Sequence, residues 1–142
     1  MGGYHGPAIG FRAGGTGNIT ASNRLWQVTK KNPQRIGTGA AVGNHLFMAN
    51  EQHIGQCIDI ATGKELWETR MPEGLIWASP VLAGDRLYVT NQNGTTVVFR
   101  ANPEKFELLA ENTLNESSNS TIAISDGQIF LRTFQHVYCI AE

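Results

Sequence analysis

Cysteine is nearly missing from this 142-residue chain: Cys57 and Cys139 are the only two. Two thiols so far apart make neither a disulfide framework nor a zinc site. Charge is scarce as well, at 16% of residues, and balanced, with 11 Lys+Arg against 12 Asp+Glu. Without a basic run, nucleic acid is not expected as a partner. No apolar run approaches the roughly 18 residues that span a bilayer, so no transmembrane segment is expected. The opening MGGYHGPAIG lacks the basic and apolar regions of a secretory leader, and no signal peptide is expected. His5, His45, His53 and His136 fall into no HxH or HExxH spacing and read as turn or surface residues. No Gly-x-Ser-x-Gly elbow supports a serine nucleophile.

Glycine and short apolar runs are abundant, with 16 Gly and 41% hydrophobic residues. That mixture suits an all-β, turn-rich fold. Three hexamers align without gaps: His45-Leu46-Phe47-Met48-Ala49-Asn50, Arg86-Leu87-Tyr88-Val89-Thr90-Asn91 and Gln128-Ile129-Phe130-Leu131-Arg132-Thr133. Leu46 and Leu87 are 41 positions apart, and Leu87 and Ile129 are 42 apart. Each hexamer follows a Gly turn, at Val42-Gly43-Asn44, Ala83-Gly84-Asp85 and Ser125-Asp126-Gly127. A hydroxyl precedes each turn, at Thr38, Ser79 and Thr121. Trp26 and Trp67 are 41 apart too.

A period near 41 also fits helical arrays. The runs are too short, too β-branched and too often broken by Gly for that. They read as four strands per repeat: A (38–42, 79–82, 121–125), B (the hexamers), C (56–60, 96–100, 137–140) and D (65–69, 106–111). An earlier C strand over 8–13 and D strand over 24–29 complete the series, joined by GGTGNITASN. The sequence therefore predicts a partial β-propeller of four-stranded antiparallel blades, two complete and two partial, in a single domain over 1–142. The blades or half-blades lie near 4–30, 37–70, 77–112 and 119–142. Adjacent apolar residues within the B strands fit blades covered on both faces. Such a piece exposes strand edges and apolar outer faces. It is expected to continue into further blades of one propeller or to associate.

GQCIDIATGKELWE, WASPVLAGDRLYVTNQNGT and ISDGQIFLRTFQHVYCIAE resemble repeats of the PQQ-like, or quinoprotein-like, β-propeller family. That family includes the propeller lipoprotein of the outer-membrane assembly complex. The most specific match is Asp59, Thr62, Gly63, Lys64 and Trp67, against the family's D-A-x-T-G-x-x-L-W signature. The resemblance implies that Gly63 shapes the turn and that Trp67, and Trp26 beside it, dock between blades. In the next repeat Asn102-Pro103-Glu104-Lys105 replaces the Thr-Gly turn, with Leu108 near the Trp place. The resemblance further implies a bacterial protein at a periplasmic or other extracytoplasmic location.

Family members that are dehydrogenases hold PQQ with a vicinal disulfide, a Trp floor, Ca²⁺ on acidic and amide side chains, and an Asp base. This sequence has no Cys-Cys pair and no acidic cluster. Cys57 and Cys139 read as buried packing thiols. PQQ is therefore possible by resemblance alone, no cofactor or metal is expected, and the balance falls against an enzyme. The leading expectation is a non-catalytic scaffold for binding or assembly with a protein or peptide partner. The alternative is a fragment of a PQQ-dependent quinoprotein dehydrogenase acting on alcohols or sugars.

Propeller topology puts the D–A and B–C loops on one side of the blades. That side is expected to bind, with Arg35, Gln52, His53, Trp77, Asn91, Gln92, Arg132, Gln135 and His136 as its candidate residues. Trp77 could serve as an exposed anchor or pack between blades. Arg132, in a column otherwise Ala49 and Thr90, could meet an anion or a neighbouring blade.

Overall fold

The three Gly turns preceding the hexamers set the architecture. Gly43, Gly84 and Gly127 hold φ of +58°, +61° and +74°, values that glycine adopts without a Cβ clash. Each closes a tight hairpin, and in this computed structural model, which describes residues 7–29 and 36–141, the hairpins extend into four antiparallel sheets. Blade 1 pairs β1 (Ala8–Phe11) with β2 (Arg24–Val28). Blade 2 has the order β3 (Ala40–Val42), β4 (His45–Ala49), β5 (Ile54–Asp59) and β6 (Glu65–Arg70). Blade 3 repeats it with β7 (Val81–Ala83), β8 (Arg86–Thr90), β9 (Thr95–Arg100) and β10 (Leu108–Thr113). Blade 4 holds β11 (Ala123–Ser125), β12 (Gln128–Arg132) and β13 (Val137–Ile140). One short helical turn, Thr20–Asn23, lies in the connection of blade 1. The fold is a partial β-propeller. No helix among the described residues is long and apolar enough to cross a membrane.

Strand alternation sends neighbouring residues to opposite faces, so both faces of a blade are apolar. Phe47, Ala49 and Cys57 of blade 2 join Leu87, Val89, Val97 and Phe99 of blade 3 in one buried core. Tyr88 and Val98 then face forward, toward blade 4, opposite to Leu87 and Val97. This is why the hexamers do not alternate polar and apolar.

The A strands, the first C strand and the D strand of blade 3 differ from the sequence expectation. The A strands begin later, at Ala40 in blade 2, because Thr38 does not bond within its own sheet. Its N–H donates to Ser79 Oγ of blade 3 at 2.9 Å, and the Ser79 N–H donates to Thr121 Oγ1 of blade 4 at 2.9 Å. The hydroxyl column is thus a ladder between successive innermost strands. The first C strand stops at Phe11, where a bulge shifts the register. The D strand of blade 3 starts at Leu108, because the connection before it is longer and Phe106 turns inward onto Phe99, with ring centroids 5.3 Å apart.

The bulge recurs. Gly10 pairs with Trp26, Cys57 with Trp67 and Val98 with Ala110, each beside a register shift. Ala110, not Leu108, therefore stands in the Trp place of blade 3. The two tryptophans reach into the following blade. Trp26 Nε1 donates to Ile60 O at 2.7 Å, and its ring covers Gly63, where a Cβ would lie 2.4 Å from the indole. Trp67 Nε1 donates to Asn102 O at 2.9 Å, and its ring meets Phe106 edge-on at 5.7 Å. An aromatic pair of this kind contributes about 1 kcal/mol beyond burial.

The two cysteines do not share an environment. Cys57 is buried, and that burial raises its thiol pKa to about 11. Cys139 is exposed, contrary to the packing role expected for both. It lies on the forward face of β13, against which no described blade packs.

Candidate functional site

The side carrying the D–A and B–C loops is a cross-linked mat. Asn50 and Asn91 end the first two hexamers and fold the loops that follow. Asn50 Oδ1 accepts the N–H groups of Gln52 and Ile54, and Asn91 Oδ1 accepts those of Asn93 and Thr95, all at 3.0 Å. Thr133 has the equivalent place in blade 4 and accepts the His136 N–H at 3.0 Å. The D–A loops then lie on these B–C loops. Gln92 N–H donates to Leu75 O at 2.8 Å, Ser118 N–H to Gln92 O at 3.3 Å and Phe134 N–H to Ser117 O at 3.0 Å. Main-chain bonds of this sort fix a surface without specifying its side chains, which leaves those free for recognition.

One polar cluster fastens the junction of blades 3 and 4. Glu116, on the D–A loop, accepts from Thr133 Oγ1 at 2.5 Å and from Tyr138 Oη at 2.9 Å, and it pairs with His136 Nδ1 at 2.7 Å. The hydrogen bond from the Thr133 hydroxyl, followed by those from the Tyr138 phenol and the His136 ring, holds the Glu116 carboxyl below its ordinary pKa. The bond to Glu116 in turn raises the Tyr138 phenol. Three donors already occupy this carboxylate, so its chemistry is that of a clamp and not of a free general base.

Around the mat, Leu75, Trp77 and Phe134 are 48%, 41% and 64% exposed. Trp77 sits between Ile76 and Ala78, each 1% exposed, so its backbone is anchored while its ring reaches solvent. Aromatic side chains with rigid backbones are common anchors of protein interfaces.

The structure sorts the candidate residues. Gln52, Trp77, Gln135 and His136 are exposed on this side. His53 is half-buried at φ +50°, with its Nε2 2.9 Å from Arg70 Nη1. Gln92 is half-buried, and its main chain joins two D–A loops. Asn91 leaves the set: it is fully buried, and its amide also donates to Glu73 O at 3.0 Å. Arg132 is exposed at the loop end of β12, on the same face as Phe130, and its carbonyl accepts from Ser118 Oγ at 2.8 Å. Arg35 falls outside the described residues. Trp26, Gly63 and Trp67 gather on the C–D turn side, away from the mat. Glu116, Leu75 and Phe134 were missed. Phe134 carried the one usable signal, an aromatic residue in a loop column otherwise held by Glu51 and Gln92.

The described residues do not fit PQQ or its calcium. Cys57 lies in the interior between blades 2 and 3, Cys139 on an outer sheet face, and no group of three His, Cys, Asp or Glu among the described residues could hold a metal ion.

Comparison with known proteins follows the same lines. The profile of the family described as outer membrane protein assembly factor BamB matches residues 17–102. BamB from Moraxella catarrhalis superposes with a TM-score of 0.67 at 13% identity, over 96% of this chain and 38% of that one. The β-propeller domain of Cps50 (Swd1) from Myceliophteria thermophila gives 0.62 at 18% identity, over 73% and 38%. A europium-containing methanol dehydrogenase gives 0.50 at 17% identity, over 66% and 20%. No curated protein matches the sequence. These likenesses concern the fold, and the chain spans 38% of the length of the first two structures.

Proposed function

Because the chain belongs to the family of outer membrane protein assembly factor BamB, we propose that it is a non-catalytic propeller scaffold holding a protein or peptide partner outside the cytoplasm. The carrying observation is the mat of D–A and B–C loops. Its main chain is fixed by bonds between blades, yet it presents Leu75, Trp77 and Phe134 to solvent. Gln52, Gln135 and His136 supply polar groups around them. A fixed platform with exposed apolar anchors loses little conformational entropy when it binds. The blades act as one partial propeller domain, and assembly is the role that the family's description supports.

Site-specific photocrosslinking tests this reading. A photoreactive residue at position 77 or 134 is expected to trap a protein partner in producing cells. The same residue at position 43 or 84, in the turns of the opposite side, is expected to trap none. Equal trapping from both sides would sink the assignment of the binding face. A separate measurement, PQQ absorbance with and without Ca²⁺, is expected to show no binding by this chain.

A further inference from the structure

The outermost strands of blades 2 and 3, β6 and β10, are built alike and finished differently. Each is the last strand of its sheet, and among the described residues no strand pairs with its outer edge. Each carries a bulge, which adds Leu66 in β6 and Leu109 in β10. The same main-chain bond closes both, from the Met71 N–H to His53 O at 2.8 Å and from the Leu114 N–H to Gly94 O at 3.1 Å. Alternate residues of an antiparallel strand turn their N–H and C=O away from the partner. Counted back from those bonds, Glu68 and Arg70 of β6, and Glu111 and Thr113 of β10, present theirs outward. The side chains differ. β6 carries three charges, and they lie over their own sheet. Glu65 and Glu68 accept from Gln56 Nε2 at 2.9 and 2.7 Å, and Arg70 Nη1 lies 2.9 Å from His53 Nε2. The equivalent places in β10 hold Leu108, Glu111 and Thr113. One charge remains there, and Leu108 and Leu109 are 45% and 37% exposed. Charged side chains on an edge strand keep other chains from pairing with it, and β10 lacks two of the three that guard β6.

We propose that the outer edge of β10 takes an extended segment of a partner protein as a fifth strand of blade 3. Outward N–H and C=O groups on alternate residues bond to an extended chain. A helix bonds its own main-chain groups to one another and leaves none for the edge. The partner's side chains follow from those of β10: apolar residues beside Leu108 and Leu109, and a Lys or Arg beside Glu111. Described strands precede and follow β10, so this edge is the same whatever adjoins blades 1 and 4. It is also separate from the loop mat, and either surface can fail its test without the other.

Amide hydrogen exchange of the full chain with a defined probe tests it. The probe is a short capped peptide in which valine alternates with threonine and one central lysine. At ten times its Kd, exchange at Glu111 and Thr113 is expected to slow about tenfold, while Glu68 and Arg70 keep their rates. Methylating the peptide nitrogens that pair with the edge is expected to abolish the slowing. Leu108→Glu combined with Thr113→Arg copies the charges of β6 at two exposed positions. That variant is expected to lose the slowing as well, with its circular dichroism unchanged from the parent. Glutamate in place of the peptide's lysine is expected to weaken binding roughly twofold to fivefold. No slowing at Glu111 and Thr113 overturns the proposal, and so does equal slowing by the methylated peptide. Equal slowing along β6 overturns the choice of blade 3, and equal binding of the glutamate peptide overturns the charge preference.

Discussion

Between blades 2 and 3, Trp67 crosses the gap, bonds Asn102 O and packs on Phe106. Between blades 3 and 4, the same place in the strand is Ala110, and no side chain there makes the crossing. The second junction is fastened instead at its loop end, where Glu116 collects Thr133, His136 and Tyr138. Both junctions keep the hydroxyl ladder along the inner strands. The comparison teaches that the repeat length and inner ladder set the blade stack. The outer fastening is exchangeable between an apolar lock and a polar clamp.

The largest expected effect comes from removing the apolar lock. Trp67→Ala is expected to destabilise the protein by about 3 kcal/mol, the low end for burying less after an aromatic truncation. Urea unfolding followed by circular dichroism measures it. A loss below about 0.5 kcal/mol would mean that the two junctions are not differently held. Next comes Gly63→Ala, where a left-handed φ of +70° and the Trp26 indole both oppose a Cβ. A cost of roughly 1–3 kcal/mol is expected, with a change in Trp26 emission that Trp26→Phe abolishes. Ser79→Ala removes the hydroxyl that accepts from the Thr38 N–H, the rung between blades 2 and 3, and is expected to cost about 1 kcal/mol. The Thr38 amide is expected to lose protection while the residue 79 amide, which donates to Thr121 Oγ1, keeps it; equal loss at both would mean that the rungs are not independent.

The most local effect concerns the polar clamp. Glu116 has its folded pKa held below the ordinary 4.5, so its contribution is fully present above the unfolded value. That contribution is lost as pH falls through the folded one. Hydrogen exchange at Phe134 and His136 is expected to speed up below about pH 4.5, while amides around Trp67 keep their protection. In Glu116→Gln this pH step is expected to vanish. A step that persists in the variant would assign the acid sensitivity to another group.

Much of the fold was legible because propeller blades write their geometry as a period. Hexamer spacing, Gly turns and the hydroxyl column each reflect a local demand repeated once per blade. The adjacent apolar pairs recorded two-sided burial. What escaped were features that depend on counting across a pairing. The two-residue lengthening before β10 moves the Trp place from Leu108 to Ala110, and only the register with Val98 reveals it. Arg132 was read from its position near a strand end, and only the pairing with Val137 shows that its side chain shares a face with Phe130. Asn91 was placed on the binding face because its loop lies on that side, yet its side chain is buried. Its value to the fold is that one side chain satisfies several main-chain groups at once. Glu116 gave no signal, since its three partners come from other segments.

Each indole lock reads a main-chain carbonyl, Ile60 O in one case and Asn102 O in the other. The receiving turn differs in length and in almost every side chain between the two. A lock addressed to the backbone places little constraint on the residue that answers it. Blades can therefore drift far apart in sequence while remaining interlocked. That freedom accounts for a chain whose fold is shared with structures only 13–18% identical to it.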